Sequence, residues 1–332
     1  MMSKGILVTG GAGYIGSHVV KLLGQRGERV VVLDNLSTGF RNAVSAGELI
    51  VGNTGDRQLV AELLKKYDVD TVMHFAAHTI VPESVSDPLK YYGNNTCSTR
   101  NLLQCCQEAG VSHFIFSSTA AVYGELKEGV AREDTPTAPI NPYGTSKLMS
   151  EWMIRDLCAA SALEAVALRY FNVAGSDPDG EIGQNTEKAT LLVKVACEVA
   201  LGKREKLLVF GTDYPTPDGT GIRDYIHVSD LASAHLAALD YLRAGGRSTT
   251  LNCGYGHGYS VKEVIDAVER CQGTALNVEY TDRRAGDPAT LVSNVESIHR
   301  TLDWEPRFDD LDTIVKTSLQ WEQKLAQESA GK

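Results

Sequence analysis

The sequence predicts an α/β fold built on a doubly wound parallel sheet. Three observations carry this. Short runs rich in valine, isoleucine and leucine alternate with longer stretches of helical periodicity through the first half of the chain. Several of those runs are apolar throughout rather than alternating, as strands covered on both faces must be. A glycine-rich turn joins the first run to the first helical stretch, and strand and helix in steady succession mean βαβ units.

The first run is GILVTG (5–10). A helix follows over 14–25, with Ile15, Val19, Val20, Leu22 and Leu23 forming its stripe. RVVVLD (29–34), LIVGN (49–53), TVMHFAA (71–77), HFIFSS (113–118) and AVALRYFNV (165–173) read as further strands, and QLVAELLKKY (58–67) as a helix. Beyond about residue 174 the pattern changes. GSDPDGEIGQN (175–185) and GTDYPTPDGTGIRD (211–224) are loops of turn formers, and loops this long inside a compact domain are usually functional. Helices return near 228–243 and 261–272, the latter opened by a capping box of Ser260 and Glu263. The expected division is a nucleotide domain over 1–173 and a smaller C-terminal α/β ligand domain over 174–332, with interleaving in space left open.

The chain has 332 residues, 43% of them hydrophobic, and a formal net charge of −10 without any run of lysine or arginine. That charge argues against nucleic acid or an anionic membrane as partner. The seven cysteines are odd in number and form no C-x-x-C pair, so neither a disulfide framework nor a zinc site is expected. No metal-ligand spacing occurs, and His74 and His227 read as satisfied core residues. The opening MMSKGILVTGGAGYIG breaks into glycines too soon for a signal peptide or membrane span. A soluble cytoplasmic protein is expected.

TGGAGYIG (9–16) puts Gly10, Gly13 and Gly16 between strand and helix. Gly10 permits the tight turn, Gly13 lets backbone approach a pyrophosphate, and Gly16 allows close helix packing. The helix N-terminus then faces the phosphates with free N–H groups. Asp34, at the end of the second strand, suits the two hydroxyls of an adenosine ribose and repels a further phosphate there. These features specify a Rossmann-type sheet and NAD as the cofactor.

NPYGTSK (141–147) asks for a different chemistry. Asn141 caps a helix, Pro142 suits its first turn, and Tyr143 and Lys147 share one face. A free phenol titrates near pH 10. Lowering it by roughly three units needs about 4 kcal/mol of differential stabilisation, which a lysine ammonium and a positive nicotinamide ring could supply together.

TGGAGYIG, Asp34, HFAA (74–77), SSTAAVYG (117–124), NPYGTSK, RYFN (169–172), VFGTDYPTPDGTGIRDYIHVSDL (209–231) and RRAGDPA (283–289) occur in order. Together they resemble the extended short-chain dehydrogenase/reductases, and within them the UDP-glucose 4-epimerases. The resemblance implies C4 epimerisation of a UDP-sugar, UDP-galactose and UDP-glucose first. Tyr143 would take the proton of the sugar 4-hydroxyl, NAD the C4 hydride, and both would return to the opposite face of a 4-ketose. It implies catalytic roles for Tyr143, Lys147 and Thr119. It implies cofactor contacts from Gly10, Gly13, Tyr14, Ile15, Gly16, Asp34, Asn35, Asn53, Thr54, Phe75, Ala76, Ala77, Thr79, Asn94, Tyr143, Lys147 and Phe171. For the UDP-sugar it implies Thr119, Tyr143, Asn172, Leu208, Val209, Phe210, Arg223, Arg284, Asp287 and Thr290, with the two arginines on the diphosphate. A homodimer through helices near 86–110 and 141–160 is also implied.

The departures matter. Ala120 and Ala121 stand where related 4,6-dehydratases carry an Asp-Glu pair, so elimination lacks its acid and base. Asn53 replaces an aspartate that meets adenine, Thr79 replaces a common lysine, and Leu191 falls where relatives offer Asn or His. Thr290 is small at the gate beside the sugar 2-substituent, which admits N-acetyl sugars. The other readings are a 4-epimerase of a different UDP-sugar, including a pentose, and a non-catalytic NAD-binding regulator.

Overall fold

Side-chain alternation in the first strand feeds two of the three apolar clusters among the described residues. In β1 (Gly5–Thr9) all five residues are buried; Ile6 and Val8 join one apolar cluster and Leu7 the other, as a period of two requires. The computed structural model describes residues 4–126, 128–186, 189–284 and 287–330. Next come α1 (Tyr14–Gln25), β2 (Arg29–Asp34), β3 (Glu48–Val51), α2 (Arg57–Lys66) and β4 (Val69–His74), close to the predicted positions.

After α3 (Val81–Ser86) and α4 (Pro88–Tyr91), residues Tyr92–Cys97 wind as a π-helix into α5 (Ser98–Ala109). Such widened turns cluster at functional sites, and no pattern in the sequence predicts this one. β5 (His113–Thr119), β6 (Val130–Ala131) and α6 (Pro142–Ala160) follow. The predicted cap is present: the Asn141 side-chain oxygen accepts from Gly144 N at 2.9 Å, with Pro142 in the first turn.

The run 165–173 needs correction. It forms two strands, β7 (Glu164–Tyr170) and β8 (Asn172–Ala174), broken at Phe171. Asn172 N donates to Asp224 O at 3.0 Å, so the chain leaves the large sheet to pair with a later strand. The rest comprises α7 (Leu192–Ala200), β9 (Leu207–Phe210), β10 (Ile222–Arg223), β11 (Tyr225–His227), α8 (Val228–Arg243), β12 (Thr249–Cys253), β13 (Tyr259–Ser260), α9 (Val261–Gln272), β14 (Val278–Thr281), β15 (Thr290–Ser293), α10 (Glu296–Thr301) and α11 (Leu311–Ala330). α9 opens on the predicted capping box; α7 and α11 are not among the elements predicted above.

The large sheet has seven strands in the order β12-β7-β5-β4-β1-β2-β3, every pair parallel. Strand order reverses between β1 and β4, and in open α/β sheets ligands bind at such a switch point, beyond the strands' C-terminal ends. β12 belongs to this sheet and α8 packs on α1, so a segment beyond residue 174 returns to complete the half built around the large sheet. A four-stranded sheet, β13-β10-β15-β6, and the pairs β11-β8 and β14-β9 make up the smaller half.

Candidate active site

The glycine loop fits a dinucleotide for reasons visible in its backbone. Gly10 has φ +71°, and a Cβ there would lie 2.5 Å from Ala76 N; one on Gly16 would lie 2.3 Å from Gly10 O. Both glycines are therefore required by the protein's own crowding. At Gly13 a Cβ would meet only Gly10 O, at 3.3 Å, so that residue leaves open space at the N-terminus of α1, as a pyrophosphate needs. Asp34 is buried and braces the loop: its two oxygens accept from Ala12 N at 2.9 Å and Leu36 N at 2.8 Å. Its remaining lone pairs suit ribose hydroxyls. Tyr14 OH donates to Gly175 O at 2.6 Å, and Ile15 packs against the larger core.

Phe75, Ala76 and Ala77 leave β4 against this loop, Phe75 N donating to Thr9 O at 2.9 Å. Thr54 and Phe171 are buried, while Asn35 and Thr79 are exposed. Asn53 departs from expectation. Its amide oxygen accepts from Gly55 N at 2.7 Å, closing its own turn, so one acceptor site that would meet an adenine amino group is already used. Asn94 donates to Asn95 Oδ1 at 3.1 Å in the π-helical segment. Leu191 stands exposed before α7.

The end of β5 and one face of α6 are zipped together. Lys147 is buried and its Nζ donates to Ser117 O at 2.7 Å. Thr119 accepts from Ala121 N at 3.1 Å and its hydroxyl faces the Tyr143 phenol. Gly144 makes the approach feasible, since a Cβ there would lie 2.5 Å from Ala121 O. Burial lowers Lys147 to about 7, with the charge of Glu151 pulling the other way. Burial raises the Tyr143 phenol, and the Thr119 hydroxyl only partly offsets it. The protein's own groups thus leave the phenol above its usual range, and the expected lowering takes a further positive charge. His74 and His227 are satisfied, as predicted: His74 meets Thr9 Oγ1 at 2.6 Å and Thr99 Oγ1 at 2.7 Å, and His227 meets Thr317 Oγ1 at 3.1 Å and Ser229 N at 3.1 Å.

The expected UDP-sugar residues come from β8, β9, β10 and the segment entering β15. Arg223 lies 3.8 Å from the Asp287 carboxylate, and the Arg284 guanidinium sits 3.6 Å over the Phe210 ring. Arg283 pairs instead with Asp213 at 2.6 Å on the surface. Ala285 and Gly286 of the RRAGDPA motif lie outside the described residues. Along β9 Leu208 is exposed and Phe210 half-buried, but Val209 points into the core, so Val209 can offer a ligand only its backbone. The Asn172 side chain faces the Tyr225 phenol. Thr290 packs against Gly129, where an added Cβ would lie 2.8 Å from its own.

Several structural supports escape sequence reasoning. Asn95 clasps His78 through both N–H, at 2.8 Å, and C=O, at 3.0 Å, and meets Ser146 of α6 at 3.1 Å. Asp224 receives Tyr255 N, Gly256 N, Ser293 N and Ser293 Oγ at 2.5–3.2 Å. Glu151 and Arg169 form a buried ion pair behind Lys147. The acids follow motif residues in the sequence (RD, SK-x-x-x-E), but only the fold supplies their partners.

A family profile, the NAD dependent epimerase/dehydratase family, matches residues 6–254. The UDP-glucose 4-epimerase of Azospirillum brasilense is 53% identical over 98% of this chain and 94% of its own length. The solved UDP-glucose 4-epimerase from Brucella ovis, in complex with NAD, superposes with a TM-score of 0.93 at 43% identity, covering 96% of this chain and 98% of that one. The UDP-Glc/GlcNAc 4-epimerase from Campylobacter jejuni superposes with a TM-score of 0.86 at 49% identity, over 97% of this chain and 100% of that one.

Proposed function

The chain belongs to the NAD dependent epimerase/dehydratase family, and from that premise we propose that it is a UDP-hexose 4-epimerase interconverting UDP-galactose and UDP-glucose through a 4-keto sugar. The observation that carries this is the convergence of Tyr143, Lys147 and Thr119 beside Ala120 and Ala121. The site has one base and no second acid–base pair, which suits proton removal and return but not elimination.

Gly10, Gly13, Gly16 and Asp34 hold the dinucleotide, with the 75–77 loop, the Asn94 segment and Phe171 along it. When bound, NAD supplies the hydride acceptor and donor at the sugar carbon and a positively charged ring. Tyr143, as phenolate, takes the proton of the sugar 4-hydroxyl and later returns it. Thr119 holds the reacting oxygen, and Lys147 keeps the phenolate charged. Inversion requires the ketose to turn within the pocket, because both its faces must meet the same tyrosine. Arg223 and Arg284 face the diphosphate, with Asn172 beside it. Asp287 takes a ribose hydroxyl, and Leu208 to Phe210 border the uracil.

A wider substrate range has its own support. Thr290 is far smaller than tyrosine at the position expected to gate the sugar 2-substituent, and on that ground the enzyme also accepts UDP-N-acetylhexosamines. The first test follows C4 inversion by NMR in the purified protein, given UDP-galactose and UDP-GalNAc separately. Conversion of both is expected. Conversion of UDP-galactose alone removes the wider range, and conversion of neither, even with added NAD, removes the epimerase reading in favour of another UDP-sugar or a non-catalytic role.

The protein acts in the cytoplasm; no described helix is long and apolar enough to cross a membrane. It works as a homodimer. Val85 and Leu89, 64% and 78% exposed, and Met149 and Trp152, 36% and 46% exposed, lie on α3, α4 and α6. These helices pack together, and the exposed apolar residues fit the pairing expected there. Sedimentation of a Leu89→Glu/Trp152→Glu variant as a dimer would remove that assignment.

A further inference from the structure

The catalytic face of α6 continues one turn beyond its lysine. Tyr143, Lys147 and Glu151 stand at successive i, i+4 positions and all three are buried. Each meets a different residue at the end of β5: Thr119 faces the phenol, Ser117 O receives Lys147, and Ser118 Oγ donates to Glu151. Arg169 is the ladder partner of Ser118 on β7. It closes on Glu151 with Nη2–Oε2 at 2.6 Å and Nε to the two oxygens at 3.0 and 3.2 Å. Its Nη1 donates to Tyr123 OH at 3.0 Å, and Tyr123 OH donates to Asn252 at 2.6 Å.

A buried ion pair is a poor source of stability, because desolvating two charges offsets most of their attraction. Here it lies one turn from a lysine that makes no ion pair among the described residues, its ammonium meeting only a carbonyl and the Phe116 ring at 4.8 Å. A carboxylate in direct contact would tie up the ammonium's hydrogens. One turn away, it favours the charged form and leaves them free.

We propose that Glu151 and Arg169 are positioning residues of the proton-transfer machinery, Glu151 keeping Lys147 protonated beside Tyr143 and Arg169 locking the Glu151 carboxylate in place. The inference rests on the epimerase reading. The other groups facing this centre do not replace Glu151. His74 on β4 is held neutral, burial lowering it to about 3. Tyr170 on β7 and Tyr91 on α4 both have phenols raised by burial, so neither carries charge at neutral pH.

The signs are definite. Without the Glu151 charge, and with Arg169 left unpaired, the Lys147 ammonium loses its proton at lower pH. The alkaline limb of kcat therefore moves toward acid. In Glu151→Gln it moves by about one pH unit, the scale set by a nearby charge. In Glu151→Gln/Arg169→Gln the unpaired Arg169 charge is gone too, and the limb recovers only in part, because the carboxylate that favours the ammonium is still missing. A purely structural pair predicts the reverse, with the double variant at least as impaired as the single. Titration of 15N-lysine by NMR, with the Lys147 signal assigned by its loss in Lys147→Met, reads the same shift without turnover. Should Glu151→Gln not fold, Glu151→Asp and Arg169→Lys keep both signs of charge and must keep the limb. An unmoved limb in Glu151→Gln, no recovery in the double variant, or a displaced limb in the charge-keeping variants overturns the proposal. Wild-type protein that converts no UDP-hexose overturns the epimerase reading instead.

Discussion

The proposed catalytic half and the proposed ligand half hold the charged side chains named for them in opposite ways. Around β5 and α6, Lys147, Glu151 and Arg169 are each less than a tenth exposed and hydrogen-bonded to protein. In the ligand half the expected contacts are loosely partnered. Arg223 is 3.8 Å from Asp287, which is 42% exposed, and Arg284 rests on an aromatic face. The frame beneath them is nonetheless rigidly bonded: Asp224 receives four hydrogen bonds, and Asp230 receives Tyr255 OH at 2.6 Å, Arg307 N at 2.9 Å and Phe308 N at 2.8 Å. Groups that do chemistry are preset, because misplacing a base costs rate. Of the arginines proposed to meet a dianionic ligand, Arg284 is exposed, where an unpaired cation costs little, while Arg223 is half-buried with Nη1 donating to Ile222 O at 2.8 Å.

Acid sharpens this contrast most. His18, His74, His227 and His235 are buried, and burial lowers them to about 4, 3, 3 and 4. Neutral when folded but protonating near pH 6.5 when unfolded, they stabilise fully above pH 6.5. That contribution is lost as pH falls toward 4 to 3, each by up to roughly 1.4 kcal/mol per pH unit. Urea midpoints should therefore drop steeply from pH 6.5 to 5; a flat profile would show that these histidines are not held neutral.

Tyr143→Phe comes next. Removing the base should cut kcat by about 10²- to 10⁴-fold with little change in thermal stability, because among the described residues the buried hydroxyl faces only the Thr119 side chain. Turnover near wild type would end its role. Arg223→Ala probes the looser half, and KM for UDP-galactose should rise about 10- to 100-fold, the worth of one charged hydrogen-bond pair. A loss confined to kcat would place Arg223 with the preset groups. Thr290→Tyr has the smallest expected effect on the principal reaction, UDP-galactose turnover staying within about threefold while UDP-GalNAc turnover is lost for want of space. Equal use of both by the variant would discard the gate.

Residues 5–74 show what is legible in sequence. Here β-branched runs, one helical stripe and three spaced glycines act locally, and their elements fall close to where they are expected. Tyr143, Lys147 and Thr119, named from motifs, meet where β5 and α6 touch for the same reason. The misses have physical causes. The run 165–173 reads as one strand because its composition is uniform, and its break at Phe171 depends on a backbone bond to Asp224, some fifty residues away. Val209 reads as a contact within its motif, but strand alternation turns its side chain inward. Asn53 keeps an acceptor by residue type, yet spends it on Gly55.

Periodicity, turn chemistry and caps determined the sheet, the dinucleotide turn and the Tyr143–Lys147 pairing, because all of these act over a few residues. The tertiary structure alone decided that β12 closes the first sheet, that Asp224 and Asp230 carry the ligand half, and that Arg169 meets Glu151 behind the catalytic lysine. Those arrangements join residues far apart in the chain, and what a buried charge does depends on which partner the fold delivers to it.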